Sequence, residues 1–238
     1  MQKGASLIRI FAIADLHLSF GVDKPMSIFG QKWEHYEERL STIWNQLIHP
    51  DDVVLIAGDI SWAMRESEVI PDMAYLSTLS GKKVLLKGNH DYWWSTKKKV
   101  QELAGQNVGV LQTNAIEFPL FTVVGTRGWD LPSTTHDTDE ERKIFQREVE
   151  RLRISLEAGA KSKKPLIAMM HYPPMSNIDI GTPFTTLLEQ YRVEFCVYGH
   201  LHGHAHRLRI EGDIRGVQYH FVAADYLNFR PKEILLLH

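Results

Sequence analysis

One cysteine, Cys196, is all that this 238-residue sequence carries, so no disulfide can form within the chain and a reducing compartment fits. It falls in the apolar run Phe195-Cys196-Val197-Tyr198, which reads as a buried, inert thiol rather than a nucleophile. An excess of basic charge is also missing. The formal net charge is -2, so the chain has no general electrostatic grip on nucleic acid, although a local basic patch is compatible with that balance. No apolar run approaches the ~18 residues that span a bilayer. Residues 1–11 hold one lysine and too short an apolar stretch for a signal peptide. There is no internal repeat, low-complexity tract or Pro/Ser-rich linker, and 44% hydrophobic residues suffice for a sizeable core. The expectation is one cytoplasmic domain, residues 1–238, with no membrane or nucleic-acid partner.

What the sequence has instead is a series of short apolar runs that stop abruptly at polar clusters. Residues 8–14 run into Asp15-Leu16-His17, residues 53–57 into Gly58-Asp59, and residues 84–87 into Gly88-Asn89-His90-Asp91. Residues 166–170 run into His171-Tyr172-Pro173-Pro174, and residues 195–198 into Gly199-His200-Leu201-His202. Such runs, bounded by turn residues, read as strands buried on both faces. Between them Trp33, Tyr36, Leu40, Ile43, Trp44 and Leu47 form the apolar stripe of a helix. Residues 139–157 read as a longer helix with a charged, solvated face, and 95–104 and 182–191 as shorter ones. The alternation predicts an α/β fold with a largely parallel sheet. Residues 115–125, with Pro119 near the turn, and 207–224, around Glu211-Gly212-Asp213, read as hairpins; they call for a second, more antiparallel sheet packed on the first.

In open α/β sheets, ligands bind at the carboxyl ends of strands, and five strand ends here deliver Asp, His, Asn or Gly-Asp. Singly these are weak signals. Asp15-x-His17 also fits a helix cap with a surface histidine, Gly58-Asp59 a turn, and Gly199-His200-x-His202 two surface histidines. Gly88-Asn89-His90-Asp91 is more specific, since average composition produces it by chance in roughly one chain in a thousand. Together, two carboxylates, one amide oxygen and four imidazoles at strand ends make a coherent ligand set for two divalent cations.

These blocks, in this order from Asp15 to His202, resemble the calcineurin-like metallophosphoesterase superfamily, and none is missing. The resemblance implies a four-layer α/β/β/α sandwich of two packed mixed sheets, with a metal site at the strand carboxyl ends. It implies one metal held by Asp15, His17, Asp59 and His202, and a second by Asp59, Asn89, His171 and His200, with Asp59 bridging. The ions would be divalent transition metals: manganese, iron, zinc, cobalt or nickel. The implied reaction is in-line attack on a phosphate mono- or diester by a hydroxide bridging the two ions. His90 matches the family's proton donor, and Asp91 either orients His90 or caps a following helix.

Departures from the family pattern bear on the substrate. The protein Ser/Thr phosphatase branch carries an Asp-Arg pair soon after Gly-Asp; here the chain continues Ile60-Ser61-Trp62-Ala63-Met64. Asp91 stands where that branch has glutamate, which favours the phosphodiesterase and small-molecule branches. Trp62, Trp93, Trp94 and Trp129 fall near the expected cavity rim, and Trp62 and Trp129 are candidate platforms for a flat or apolar leaving group. Arg127 is a candidate phosphate contact, with an ion pair to Asp130 as its structural alternative. His204 and His206 lie outside the ligand set, and the Asn-Pro-Gly-Ser motif of many relatives is absent from residues 222–229. The expected partner is a small-molecule phosphate ester. A nuclease acting on single strands or ends is one alternative, disfavoured by the charge balance; a non-catalytic metal-binding scaffold is another, disfavoured by the filled ligand positions.

Overall fold

Successive residues of a strand face opposite ways, so a strand that is apolar throughout must be covered on both sides. The computed structural model describes residues 8–132 and 138–237; most of the stretch weighed as a signal peptide, residues 1–7, lies outside them. In chain order the first elements are β1 (Ile8–Ile13), α1 (Tyr36–Leu47), β2 (Val53–Ile56), α2 (Ile70–Thr78), β3 (Lys82–Leu86), α3 (Lys97–Ala104) and β4 (Val108–Leu111). There follow β5 (Ile116–Glu117), β6 (Thr122–Thr126), α4 (Asp139–Ala160), β7 (Leu166–Met170) and α5 (Pro183–Gln190). The last strands are β8 (Phe195–Tyr198), β9 (Gly212–Ile214), β10 (Val217–Phe221) and β11 (Lys232–Leu237).

Three apolar layers result. Ile10, Ala12, Val53, Leu55 and Val84 of one sheet meet Val123, Ile167, Met169 and Val197 of the other. On the outer face of the first sheet, Phe11, Ile13, Val54 and Leu85 pack with Tyr36, Leu40 and Trp44 of α1, Met73 of α2 and Val100 of α3. On the outer face of the second, Ala168, Met170, Cys196 and Tyr198 pack with Leu152 and Leu156 of α4 and Phe184 of α5. Helices, sheet, sheet and helices are therefore stacked as an α/β/β/α sandwich, and Cys196 is a buried free thiol whose pKa burial drives upward.

The first sheet runs β11-β1-β2-β3-β4, with β1 to β4 parallel and β11 antiparallel at the edge. The second runs β5-β6-β7-β8-β10-β9. Its spine of β6, β7, β8 and β10 is parallel, and the antiparallel pairing expected of it is confined to the edge strands β5 and β9. The second hairpin turns at Arg215-Gly216, both at positive φ as a two-residue loop requires, and not at Glu211-Gly212-Asp213. Residues 207 and 208, read as the start of that hairpin, instead end a 3-10 helix, Gly203–Leu208.

Trp33 is not on α1. It lies in a 3-10 turn, Gln31–Trp33, and His35 at φ 49° interrupts the chain before Tyr36. Three elements had no clear sequence signal because a breaker stands at or in each: Pro71 in α2, Gly109 in β4, and Pro231 just before β11. No helix among the described residues is long and apolar enough to cross a membrane.

Leu40 is fully buried beneath the first sheet, whereas Gln46 on the same helix is exposed. Leu40→Ala is expected to cost about 2–5 kcal/mol of unfolding free energy in urea denaturation. Gln46→Ala is expected to change it by no more than about 0.5 kcal/mol.

Candidate metal centre

The pairing of β1 with β2 does not stop where the regular strands end. It continues as Asp15 N–H to Gly58 O (2.9 Å), His17 N–H to Asp59 O (3.0 Å) and Leu18 N–H to Ile60 O (2.9 Å). Ala14 also bonds across to the second sheet, donating to Val222 O and accepting from Ala224 N. Within this lattice Asp15, His17, Asp59 and His200 take φ of 60°, 49°, 51° and 74°, in the left-handed region that side chains generally avoid. Such conformations cost of order 1–3 kcal/mol each unless their surroundings hold them, and they turn these side chains into one crevice. Two of the preceding glycines have a steric role. A Cβ on Gly88 would fall 2.1 Å from Asp59 Oδ1, and one on Gly199 would fall 2.2 Å from Asp15 Oδ2.

The seven predicted ligands converge there in two overlapping groups. In one, His17 Nε2 lies 3.2 Å from His202 Nε2, and His202 Nε2 lies 3.6 Å from Asp15 Oδ1. In the other, Asn89 Oδ1 lies 2.7 Å from His171 Nε2 and 2.9 Å from His200 Nδ1. Asp59 Oδ2 stands between them, 3.7 Å from His17 Nε2 and 3.5 Å from His171 Nε2. Ligand atoms bonded to one ion at about 2.0–2.2 Å stand about 3 Å or slightly more apart, so this spacing fits cation coordination. Tautomers support the fit. His171 Nδ1–H donates to Ala57 O (3.0 Å), which leaves the Nε2 lone pair facing the amide oxygen of Asn89, an arrangement that a cation would satisfy.

Charge points the same way. Burial and the neighbouring charge of Asp15 push Asp59 up to about 8. Burial would raise Asp15 too, but the His202 ring beside it and the other imidazoles hold it below the usual carboxylate range. Burial opposes protonation of His202, yet its contacts with Asp15 and Asp225 carry it up to about 10. Protons on Asp59 and His202 thus occupy a place suited to cations. Burial holds His17 and His171 down, and with the repulsion of His171 it brings His200 to about 3, so their nitrogens remain free to bind metal.

Asp91 is fully buried and does not orient His90. Its carboxylate accepts from Ile60 N (2.9 Å), Ser61 N (3.1 Å), Gly88 N (2.8 Å) and Trp93 Nε1 (3.1 Å), tying the Asp59 loop to the Asn89 loop. Nor does it cap the next helix, α3, whose cap is Thr96. His90 itself donates its backbone N–H to Asp59 Oδ1 (2.8 Å), and its ring packs on Trp62 with centroids 4.4 Å apart. Trp62 in turn stacks on His17 at 4.7 Å and carries Lys24 Nζ 3.7 Å from its own ring.

Other expectations need correction. Trp93 and Trp94 are buried supports rather than rim residues, their indoles donating to Asp91 and Gln112. Trp33 is in the core, as expected, and also forms a cavity wall, its ring centroid 6.0 Å from that of His17 in an edge-on arrangement. Trp129 packs on Tyr172 (5.5 Å) and beneath the Arg127 guanidinium (4.7 Å), outside the cavity that Trp62 lines. Arg127 pairs with Glu148 (3.5 Å) and faces a separate cavity. The sequence reading missed Asp225. It accepts from His202 Nδ1 (3.2 Å) and lies 3.1 Å from His206 Nε2, fixing the His202 ring with Nε2 towards Asp15. The His-x-His-x-His-x-His alternation from 200 to 206 was its one sequence signal, while His204 is exposed.

A sandwich with strand-end acids and imidazoles gathered in one crevice is the architecture of a metal-dependent phosphoesterase. The model of the calcineurin-like phosphoesterase family matches residues 8–204, and the chain belongs to that family. No curated protein matches it in sequence. Among solved structures, the phosphopantetheinyl hydrolase PptH from Mycobacterium tuberculosis is similar at a TM-score of 0.60 and 17% identity, with 96% of each chain covered. A protein of unknown function from Aquifex aeolicus, AQ665, is similar at 0.50 and 12%, with 94% of each chain covered. At these identities the likeness is one of fold.

Because Asp59 and His202 hold protons that a cation must displace, metal binding is expected to release protons and to tighten from about pH 6 to about pH 9. Calorimetry of the chelated protein with manganese, in buffers of differing ionisation enthalpy, measures both. Binding without proton release would contradict the arrangement.

Proposed function

We propose that the chain hydrolyses a small phosphate mono- or diester with two divalent transition-metal ions. Asp15, His17, Asp59 and His202 would hold one ion, and Asp59, Asn89, His171 and His200 the other. The observation that carries this reading is the position of Asp59 Oδ2, within 3.7 Å of a ring nitrogen from each group. Family membership supports the reaction class. Two cations bound there would supply Lewis acidity, drawing charge from phosphoryl oxygens and lowering the pKa of water.

The chain's own residues do the rest. A cavity of about 310 Å³ opens beside the crevice, with His17, His90 and His202 on its polar side and Met26, Phe29, Trp33 and Trp62 on its apolar side. With the phosphate over the ligands, the leaving group lies among these aromatic and sulfur-bearing side chains, which suits a flat or apolar moiety. Burial and the nearby imidazoles hold His90 down at about 4, so its ring is neutral in the free cavity. A phosphate anion beside the ring raises its proton affinity, so that the ring takes up a proton from solvent and donates it to the leaving oxygen as the ester P–O bond breaks. Asp91 holds the two ligand loops in register, and Asp225 keeps His202 turned inward. In this reading residues 1–238 form one catalytic domain.

Turnover of bis-p-nitrophenyl phosphate and p-nitrophenyl phosphate, after chelation and again after adding manganese, tests the proposal. Chelation is expected to abolish hydrolysis and manganese to restore it, with the faster ester separating diesterase from monoesterase. Unchanged turnover in the chelated protein would sink the reading.

Two variants divide the machinery. Asp59→Asn is expected to lose both ions by metal analysis and all turnover. His90→Ala is expected to keep both ions while kcat falls about two to four orders of magnitude, most for poor leaving groups.

A further inference from the structure

A second cavity, of about 170 Å³, opens near the carboxyl ends of β3, β4 and β6 and shares no lining residue with the aromatic one. It adjoins the metal centre through the chain and its backbone pairing. Lys87 stands two residues before Asn89, and the carbonyl of Arg127 accepts from the backbone N–H groups of His171 (3.0 Å) and Tyr172 (2.9 Å). Three cations line this cavity: Lys87, Arg127 and Arg151. Among the described lining residues they face one carboxylate, Glu148.

Glu148 does not use up their hydrogen-bonding capacity. Its buried carboxylate accepts from Arg151 Nη1 (2.6 Å) and from the Thr126 hydroxyl (2.5 Å), with Arg127 Nη2 at 3.5 Å. Among the described residues, no hydrogen-bond partner meets the buried Arg127 Nε. Lys87 Nζ, a donor of three N–H bonds, has a long contact to Trp94 O (3.4 Å). Crowded cations with spare, partly desolvated donors are stabilised by an anion that accepts several charge-assisted bonds at once.

We propose that this cavity is a second oxyanion subsite, separate from the metal ligands, which binds a phosphate-type group through Lys87, Arg127 and Arg151. The group is either free inorganic phosphate or a second phosphate carried by the substrate. The latter use rests on the phosphohydrolase reading; the binding of inorganic phosphate does not.

Titration calorimetry of the metal-loaded, full-length protein with inorganic phosphate is expected to resolve two sites. Asp59→Asn removes the metal-linked site and leaves the cavity site. Arg151 is half exposed on α4, so Arg151→Gln keeps the fold, and it is expected to weaken the cavity site about tenfold. A single site that vanishes in Asp59→Asn, or a second site that Arg151→Gln leaves unchanged, would overturn the proposal. Two sites that both survive Asp59→Asn would support the cavity and refute the metal reading instead. The two sources separate by KM in Arg151→Gln. A larger rise for an ester bearing a second phosphate than for p-nitrophenyl phosphate assigns the subsite to the substrate, and an equal change assigns it to free phosphate.

Discussion

Asp15 and Asp59 lie buried in one crevice, and two carboxylates so placed cannot both be ionised without positive charge between them. The rest of the site is arranged around that constraint. Imidazoles surround the acids, but burial keeps His17, His171 and His200 neutral, so they offer lone pairs rather than compensating charge. Cations satisfy both demands at once, since they neutralise the acids and accept the lone pairs. The fold secures this by laying two sheets face to face and joining them at Ala14, so that ligands from β1, β2, β3, β7 and β8 emerge together.

Two further buried acids act without facing the reaction. Asp91 takes four N–H bonds from two loops and the Trp93 indole, so it fixes the spacing between Asp59 and Asn89 through backbone rather than through chemistry. Asp225 orients His202 and engages His206, which gives the histidine alternation after β8 a structural cause. The aromatic wall works similarly: Trp62 touches both His17 and His90, and so couples the shape of the cavity to the posture of two imidazoles.

The strands that carry ligands were legible because each is an uninterrupted apolar run ending at a polar block. The acids, amide and imidazoles that meet in the crevice were legible for the same reason, since position at a strand end is a property of local sequence. What could not be read was the direction of side chains in loops. The tryptophans at 93 and 94 sit beside His90 in sequence, yet both turn into the core. Trp33 fits the helical period of α1, but a left-handed His35 cuts it off and leaves it walling the cavity. Asp225 lay unread because its partner His202 is distant in sequence, and Arg127 was aimed at the wrong cavity because Glu148 arrives from α4. These are tertiary pairings, which no local period encodes.

The four left-handed backbone positions at Asp15, His17, Asp59 and His200 have a consequence for how such a protein would age in evolution. Each is a place where glycine would relax the backbone, so the residues proposed to bind metal sit at positions that carry backbone strain. In a lineage freed from catalytic selection, ligand loss would tend to raise thermodynamic stability rather than lower it. The sandwich would then outlast its chemistry, and inactive descendants would arise by a path that runs downhill in folding free energy.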